Sequence, residues 1–363
     1  MTEQLTRRQL IAGGLAAGAV LALSPAAEAK GKTMQPDASH LPRWRGFNLL
    51  EKFTLNGNGP YQEADFDIVA GWGFDFVRLP TDYRCWTEAP GVYKEPVLRE
   101  IDQAVGWGRT KGVHVNLCLH RAPGYCVNPP PEKLDLWAGG ADGDEARKQF
   151  ADQWGMFAAR YRGIPSSQLS FDLVNEPADI PASAYVRAVT AAVTAIRDTD
   201  PHRLIVADGL KWGNAPVPEL AGLKIAQSTR GYAPMQISHH RASWIHGSDA
   251  WPTPDWPLTV GGQHWDKARL QREQIAPWQE LQKRGVGVHI GEWGAYNQTP
   301  HPVVLAWMRD QLALWRAAGW GWAMWNLRGA FGPLDSGRAD VAYEDYRGHE
   351  LDRAMLELLR RDR

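Results

Sequence analysis

The chain has 363 residues and a formal net charge of −1, with 44% hydrophobic residues. That balance sets up no broad field that would steer nucleic acid or an anionic membrane surface to it. The length allows a large core, and α/β barrels of this size fold as one domain. The composition is unusual in its 18 tryptophans, beside 10 tyrosines and 9 phenylalanines. These are more indoles than a core needs, and flat aromatic faces suit stacking on the apolar faces of sugars.

Residues 1–29 read as a processing segment. Arg7-Arg8 precedes an apolar, Gly/Ala-rich run from Ile11 to Leu23, and Ala27-Glu28-Ala29 has the form of a cleavage site. This pattern resembles a bacterial twin-arginine export signal, with a periplasmic or secreted mature protein and no membrane span in the mature form. The run is too short to cross a bilayer. Residues 30–363 are expected to form a single catalytic domain. The cysteines, Cys85, Cys118 and Cys126, are odd in number and irregular in spacing, which argues against a disulfide framework or a zinc site.

After a polar lead-in, strands and helices alternate. Gly46 to Leu50 is expected as a first strand, Ala64 to Gly71 as a short helix, and Phe74 to Pro80 as a second strand. The apolar spacing from Pro96 to Gly112 predicts a helix between a Pro start and a Gly stop. Val113 to His120 reads as strand three, Asp144 to Tyr161 as a helix, and Leu169 to Glu176 as strand four. A helix over Pro181 to Asp198, strand five over Arg203 to Asp208, a Pro-broken segment and strand six over Lys224 to Ser228 follow. The stretch Pro234 to His264 shows no clear element and carries Trp244, Trp251 and Trp256; so long a loop in a compact domain is usually functional. A helix over Trp265 to Arg284, strand seven over Val286 to Glu292, a helix over Val303 to Ala318, strand eight over Trp320 to Asn326 and a final helix over His349 to Arg360 complete the series. Eight strand–helix units predict a closed (β/α)8 TIM barrel, with its site at the C-terminal strand ends.

The strand ends carry the chemistry. Leu169 to Val174 runs into Asn175-Glu176-Pro177, and Val288 to Gly291 runs into Glu292. Strands four and seven face one another across an eight-strand barrel. Two carboxyl groups so placed can cleave a glycosidic bond, one as acid/base and one as nucleophile, if they lie about 5–5.5 Å apart. One must be neutral and the other ionised, and Arg78 at the end of strand two is the candidate cation beside the nucleophile. Asp208-Gly209 reads only as a turn dipeptide. Adjacent His239 and His240 on a strand would point to opposite faces, so a shared metal ion is not expected; one ring, His239, is a candidate substrate contact. Trp86, Trp137, Trp212 and Trp293 follow strands and are divided between sugar platform and packing.

Five segments carry a family resemblance over essentially the whole mature chain: Val77-Arg78-Leu79-Pro80, Leu119-His120-Arg121-Ala122-Pro123-Gly124-Tyr125, Asn175-Glu176-Pro177, Gly291-Glu292-Trp293-Gly294 and Trp322-Ala323-Met324-Trp325-Asn326. The chain resembles glycoside hydrolase family 5, the cellulase-like retaining glycosidases. The resemblance implies Glu176 as acid/base and Glu292 as nucleophile, with Arg78, His120, Asn175, Tyr232 and Trp325 around the substrate. It implies an oligo- or polysaccharide substrate and no metal or organic cofactor. There is one departure. The family's His-x-Tyr after strand six is Arg230-Gly231-Tyr232 here. An exo-acting glycosidase of different specificity, and a carbohydrate-binding barrel without turnover, are the alternatives at this point.

Overall fold

The computed structural model describes residues 36–362; the export signal expected over 1–29 lies outside them. Eight parallel strands form the barrel: β1 (Arg45–Asn48), β2 (Phe76–Asp82), β3 (His114–Ala122), β4 (Leu169–Asp172), β5 (Ile205–Asp208), β6 (Ala226–Gly231), β7 (Val288–Trp293) and β8 (Trp322–Met324). Each pairs with its sequence neighbours, and β1 pairs with β8, so the sheet closes.

The helices follow the expected punctuation. Helix α1 is Glu63–Gly71, α2 Glu95–Lys111, α3 Gly140–Arg160 and α4 Ala182–Thr199. Helix α2 starts beside Pro96, stops at left-handed Gly112 and buries Leu98, Ile101, Ala104, Val105 and Gly108 along one stripe. Between β5 and β6 the Pro-broken segment holds a four-residue turn, Leu210–Gly213, and a 3-10 turn, Pro218–Leu223, in place of a full helix. The next helix, α5, is interrupted. Lys267–Leu270 and Ala276–Gln282 are joined by a π-turn, Gln271–Ile275. Pro277 lacks an N–H and crowds the carbonyl four residues back, which the wider turn relieves. Helix α6 is His301–Ala318.

The last helix, α7, is Arg353–Arg361, not His349 onward. His349–Leu351 is instead a strand paired with Glu344–Tyr346. The two-residue turn between them, Arg347-Gly348, has φ of 57° and 84°, the left-handed pair that a tight hairpin requires. The stretch 234–264 contains a helical turn, Met235–Ser238, and a 3-10 turn, Ser248–Ala250; a small hairpin, Leu258–Val260 with Gln263–Trp265, spans its end.

Much of the aromatic excess lies between barrel and helices. Trp154, Trp293, Trp307, Trp315 and Trp322 are fully buried, and Trp293 meets Trp315 and Trp322 edge-on at 4.7 and 5.3 Å. Trp86 and Trp293 are therefore packing residues, not sugar platforms. Inside the lower barrel, His114 bonds Ser170 Oγ at 2.7 Å and stacks on Trp44, while Asn116 donates to the same hydroxyl.

Candidate active site

Two bulges aim the upper ends of the strands. Along β6 and β7, Ile290 pairs with Thr229 but Glu292 pairs with Arg230, so Gly291 is an extra residue. Along β2 and β3, Thr81 pairs with Leu119 but Asp82 pairs with Arg121, which leaves His120 as the extra residue. A bulge bends its strand and re-aims the next side chain. Beyond β4, Leu173 and Asn175 continue the ladder by donating to the carbonyls of Val206 and Leu119, and Glu176 then turns out at φ 49°. That left-handed conformation costs a non-glycine residue roughly 1–2 kcal/mol, and the surroundings hold it. Asp208 accepts from the Glu176 N–H at 2.9 Å, and Tyr125 donates to its carbonyl at 2.7 Å.

The two glutamates share a network of two arginines. Arg78, fully buried, donates to Glu292 Oε1 at 2.6 Å, Asp172 Oδ2 at 2.8 Å, Asn175 Oδ1 at 2.8 Å and Asn48 Oδ1 at 3.1 Å, and meets Cys118 Sγ at 3.0 Å. Asn48 in turn donates to the carbonyl of Gly291 at 3.1 Å. Arg230 donates to Glu176 Oε1 at 2.8 Å and Glu292 Oε1 at 3.4 Å, and clasps both oxygens of Asp208. Tyr232 donates to Glu292 Oε2 at 3.2 Å. Glu292 thus faces two guanidinium groups and a phenol, whereas Glu176 has one ion pair and 16% of its side chain exposed.

The surroundings shift the protonation of several groups here. Burial first, and then the Glu292 carboxylate, push Glu176 up to about 7 against the pull of Arg230. Burial and the neighbouring Asp208 charge likewise push Asp172 up to about 7. Burial, with Arg78, Arg230 and Arg121 nearby, drives His120 well below its ordinary value, so this ring is neutral. It lies against Phe53 and near half-buried Trp325, with ring centroids 4.4 and 6.1 Å away. His239 is lowered to about 4 by burial. It ends the helical turn Met235–Ser238, where it bonds Ser238 Oγ at 2.8 Å and meets Tyr232 edge-on at 5.0 Å.

Arg78, Asn175, Glu176, Tyr232 and Glu292 therefore meet in one network, with His120 and Trp325 on one flank and His239 on another. Asp208 is more than a turn residue, because it fixes both Glu176 and Arg230. Asn48, Asp172 and Tyr125 are further members that sequence reasoning missed. Each is a polar residue at or near the end of a strand, and that position was the available signal. Around the network, Trp212 and Trp244 stand 48% and 54% exposed. Lys211 and Trp212 are both left-handed, at φ 54° and 57°, and their N–H groups donate to the carbonyls of Ala178 and Pro177, bracing the segment that follows Glu176. Trp244 meets Tyr296 edge-on at 4.9 Å. Among the described residues no cluster of histidine, cysteine or carboxylate side chains is arranged to hold a metal ion.

Comparison with known proteins converges on one family. The family model described as cellulase (glycosyl hydrolase family 5) matches residues 28–330. Endoglucanase C of Acetivibrio thermocellus is 24% identical over 293 residues, covering 73% of this chain and 83% of that protein. Cellodextrinase A of Ruminococcus flavefaciens is 26% identical over 266 residues, covering 68% and 73%. A crystal structure described as a glycoside hydrolase superposes with a TM-score of 0.83 at 39% identity, over 88% of this chain and 99% of that one. Endoglucanase Cel5A of Thermotoga maritima shares the fold, with a TM-score of 0.71 at 21% identity over 87% and 96%. The chain belongs to glycosyl hydrolase family 5, the cellulase family, and is a glycoside hydrolase built as a single-domain (β/α)8 barrel.

Proposed function

We propose that this hydrolase cleaves a β-linked glucan by double displacement, with Glu176 as acid/base and Glu292 as nucleophile. The observation that carries the assignment is Arg230, whose single guanidinium contacts both carboxyl groups. Side chains bridged in this way face one small volume, which favours the close spacing of retaining enzymes over the wider gap of inverting ones. In the first step a Glu292 oxygen bonds the anomeric carbon as the bond to the leaving oxygen breaks, and Glu176 gives that oxygen its proton. In the second step Glu176, now a carboxylate, takes a proton from water. The water oxygen bonds the anomeric carbon and Glu292 is released. Arg78 and Tyr232 hold Glu292 in place for both steps.

The β-glucan assignment draws on the endoglucanase and cellodextrinase relatives. Exposed Trp212 and Trp244 suit a saccharide chain lying across the strand ends. The test is turnover of a panel of β-glucans and aryl β-glycosides, with the anomer of the first product followed by NMR. Retention is expected, and Glu292→Ala should lose at least about 10³-fold in kcat. A first product of inverted configuration, or a Glu292→Ala enzyme as fast as wild type, refutes the assignment.

A further inference from the structure

Arg230 stands where the family pattern has a histidine, and the chain has built a slot for it. A Cβ on Gly213 would lie 2.6 Å from Arg230 Cγ, and one on Gly291 would lie 2.8 Å from Arg230 Nη1. Inside the slot its N–H groups are all engaged. Nε reaches Glu176, Nη1 reaches Asp208 and Ser228 Oγ, and Nη2 reaches Asp208 and Asn175. An imidazole has two ring nitrogens and cannot reproduce this set. It also lacks a guanidinium's permanent charge.

We propose that Asp208 and Arg230 form a positioning pair that holds Glu176 beside the nucleophile and supplies the fixed cation favouring its base form in the second half of the reaction. The inference rests on the roles given above to Glu176 and Glu292. While Glu292 is a free carboxylate, its charge and burial help Glu176 keep the proton that the leaving oxygen needs. Once Glu292 is esterified to the sugar that charge is gone, while Arg230 remains 2.8 Å from Glu176 Oε1. Glu176, having given up its proton, then stays ionised and ready to accept one from water. Asp208 moderates the effect, because it shares the Arg230 charge through two hydrogen bonds.

The charged and titratable groups facing Glu176 come from several elements. They are Glu292 on β7, Asp208 on β5, Arg230 on β6 with Tyr232 just beyond it, and Tyr125 beyond β3. Arg78 on β2, Asp172 on β4, and Cys118 and His120 on β3 form the far side of the network. Burial keeps Tyr125, Tyr232, Cys118 and His120 neutral through the working range. Asp172 titrates in the same range as Glu176, so the readout is the difference between variants that leave Asp172 in place.

The experiment compares the full chain with Arg230→Gln, Arg230→Lys, Arg230→His and Asp208→Asn. One substrate is a dinitrophenyl β-glycoside, whose leaving group needs no proton, and the other a weakly activated aryl β-glycoside. With the first substrate the second step limits turnover. Arg230→Gln should lose on the order of tenfold or more in kcat there, and azide, which attacks without a general base, should restore turnover and yield a glycosyl azide. With the weakly activated substrate, the alkaline limb of kcat/KM should move up by about 1 pH unit in Arg230→Gln and Arg230→His, and down in Asp208→Asn. Arg230→Lys should keep the limb near its wild-type position while kcat stays low, because the charge is restored without the fork. Should Arg230→Gln fail to fold, the Lys and Asn variants make the same comparison. Limbs that coincide in all variants, or a kcat loss that azide does not relieve, would overturn the inference and leave the glutamate roles standing. A wild-type protein inert toward every β-glycoside would overturn both.

Discussion

Glu176 and Glu292 are the same residue type at equivalent strand ends, and the difference between them lies in what touches each. Glu292 receives Arg78, Arg230 and Tyr232; Glu176 receives Arg230 and is otherwise largely buried beside the charge of Glu292. Glu176 is raised to about 7, and in the acid role proposed for it a poor leaving group requires its protonated form. Activity on such a substrate should therefore be retained below that value and fall as pH rises through about 7. The Glu176→Gln variant should lose roughly 10²–10⁴-fold on a poor leaving group and less on a dinitrophenyl glycoside, for which no proton is needed. A pH–rate profile that stays flat between pH 6 and 8, or an equal loss on both substrates, would remove Glu176 from the acid role. At this scale the sequence was informative where a residue sat in a motif: Arg78, His120, Asn175, Glu176, Tyr232 and Glu292 all lie in or beside the network. Asp208 was opaque because Asp-Gly is also an ordinary turn dipeptide. Its meaning comes from Arg230, 22 positions away in sequence and one strand away in space.

Elements were legible from period and punctuation, and their irregularities were not. Strand order, the Pro start and Gly stop of α2 and the absence of a full helix between β5 and β6 could all be read from local pattern. The bulges at His120 and Gly291 could not, because a bulge exists only as a mismatch between two strands. Yet the Gly291 bulge is what sets Glu292 opposite Arg230. A side chain there has no room. Its Cβ would fall 2.4 Å from Ser228 Oγ and 2.8 Å from Arg230 Nη1. Gly291→Ala should push Arg230 and Glu292 apart, and a displacement near 1 Å costs about 10²-fold in rate. The stability cost should be about 1–3 kcal/mol. Measured together, kcat/KM and the urea midpoint distinguish the outcomes. Wild-type activity in this variant would mean that the bulge does not position Glu292, the proposed nucleophile.

Closure of the barrel is a property of the whole molecule, and it depends on two short strands. β1 has four residues and β8 three, yet they join β2 to β7. Two glycines allow the approach. A Cβ on Gly46 would lie 1.6 Å from the Phe76 carbonyl oxygen, and one on Gly321 would lie 2.1 Å from the Trp44 carbonyl oxygen. Both obstacles are backbone atoms, so no rotamer change can relieve them. The strands must separate, and the β1–β2 ladder that sets Asn48 opposite Arg78 must shift with them. Gly46→Ala should therefore lower stability by about 3 kcal/mol or more, the upper end of overpacking costs, and should also reduce kcat although Gly46 touches no member of the network. The link is Asn48, two residues on, which ties Arg78 to the Gly291 carbonyl. Thermal unfolding and kinetics on the folded variant test the two effects separately. A large drop in Tm with kcat unchanged would show that closure supports the barrel without holding the site, and the coupling through Asn48 would then be wrong.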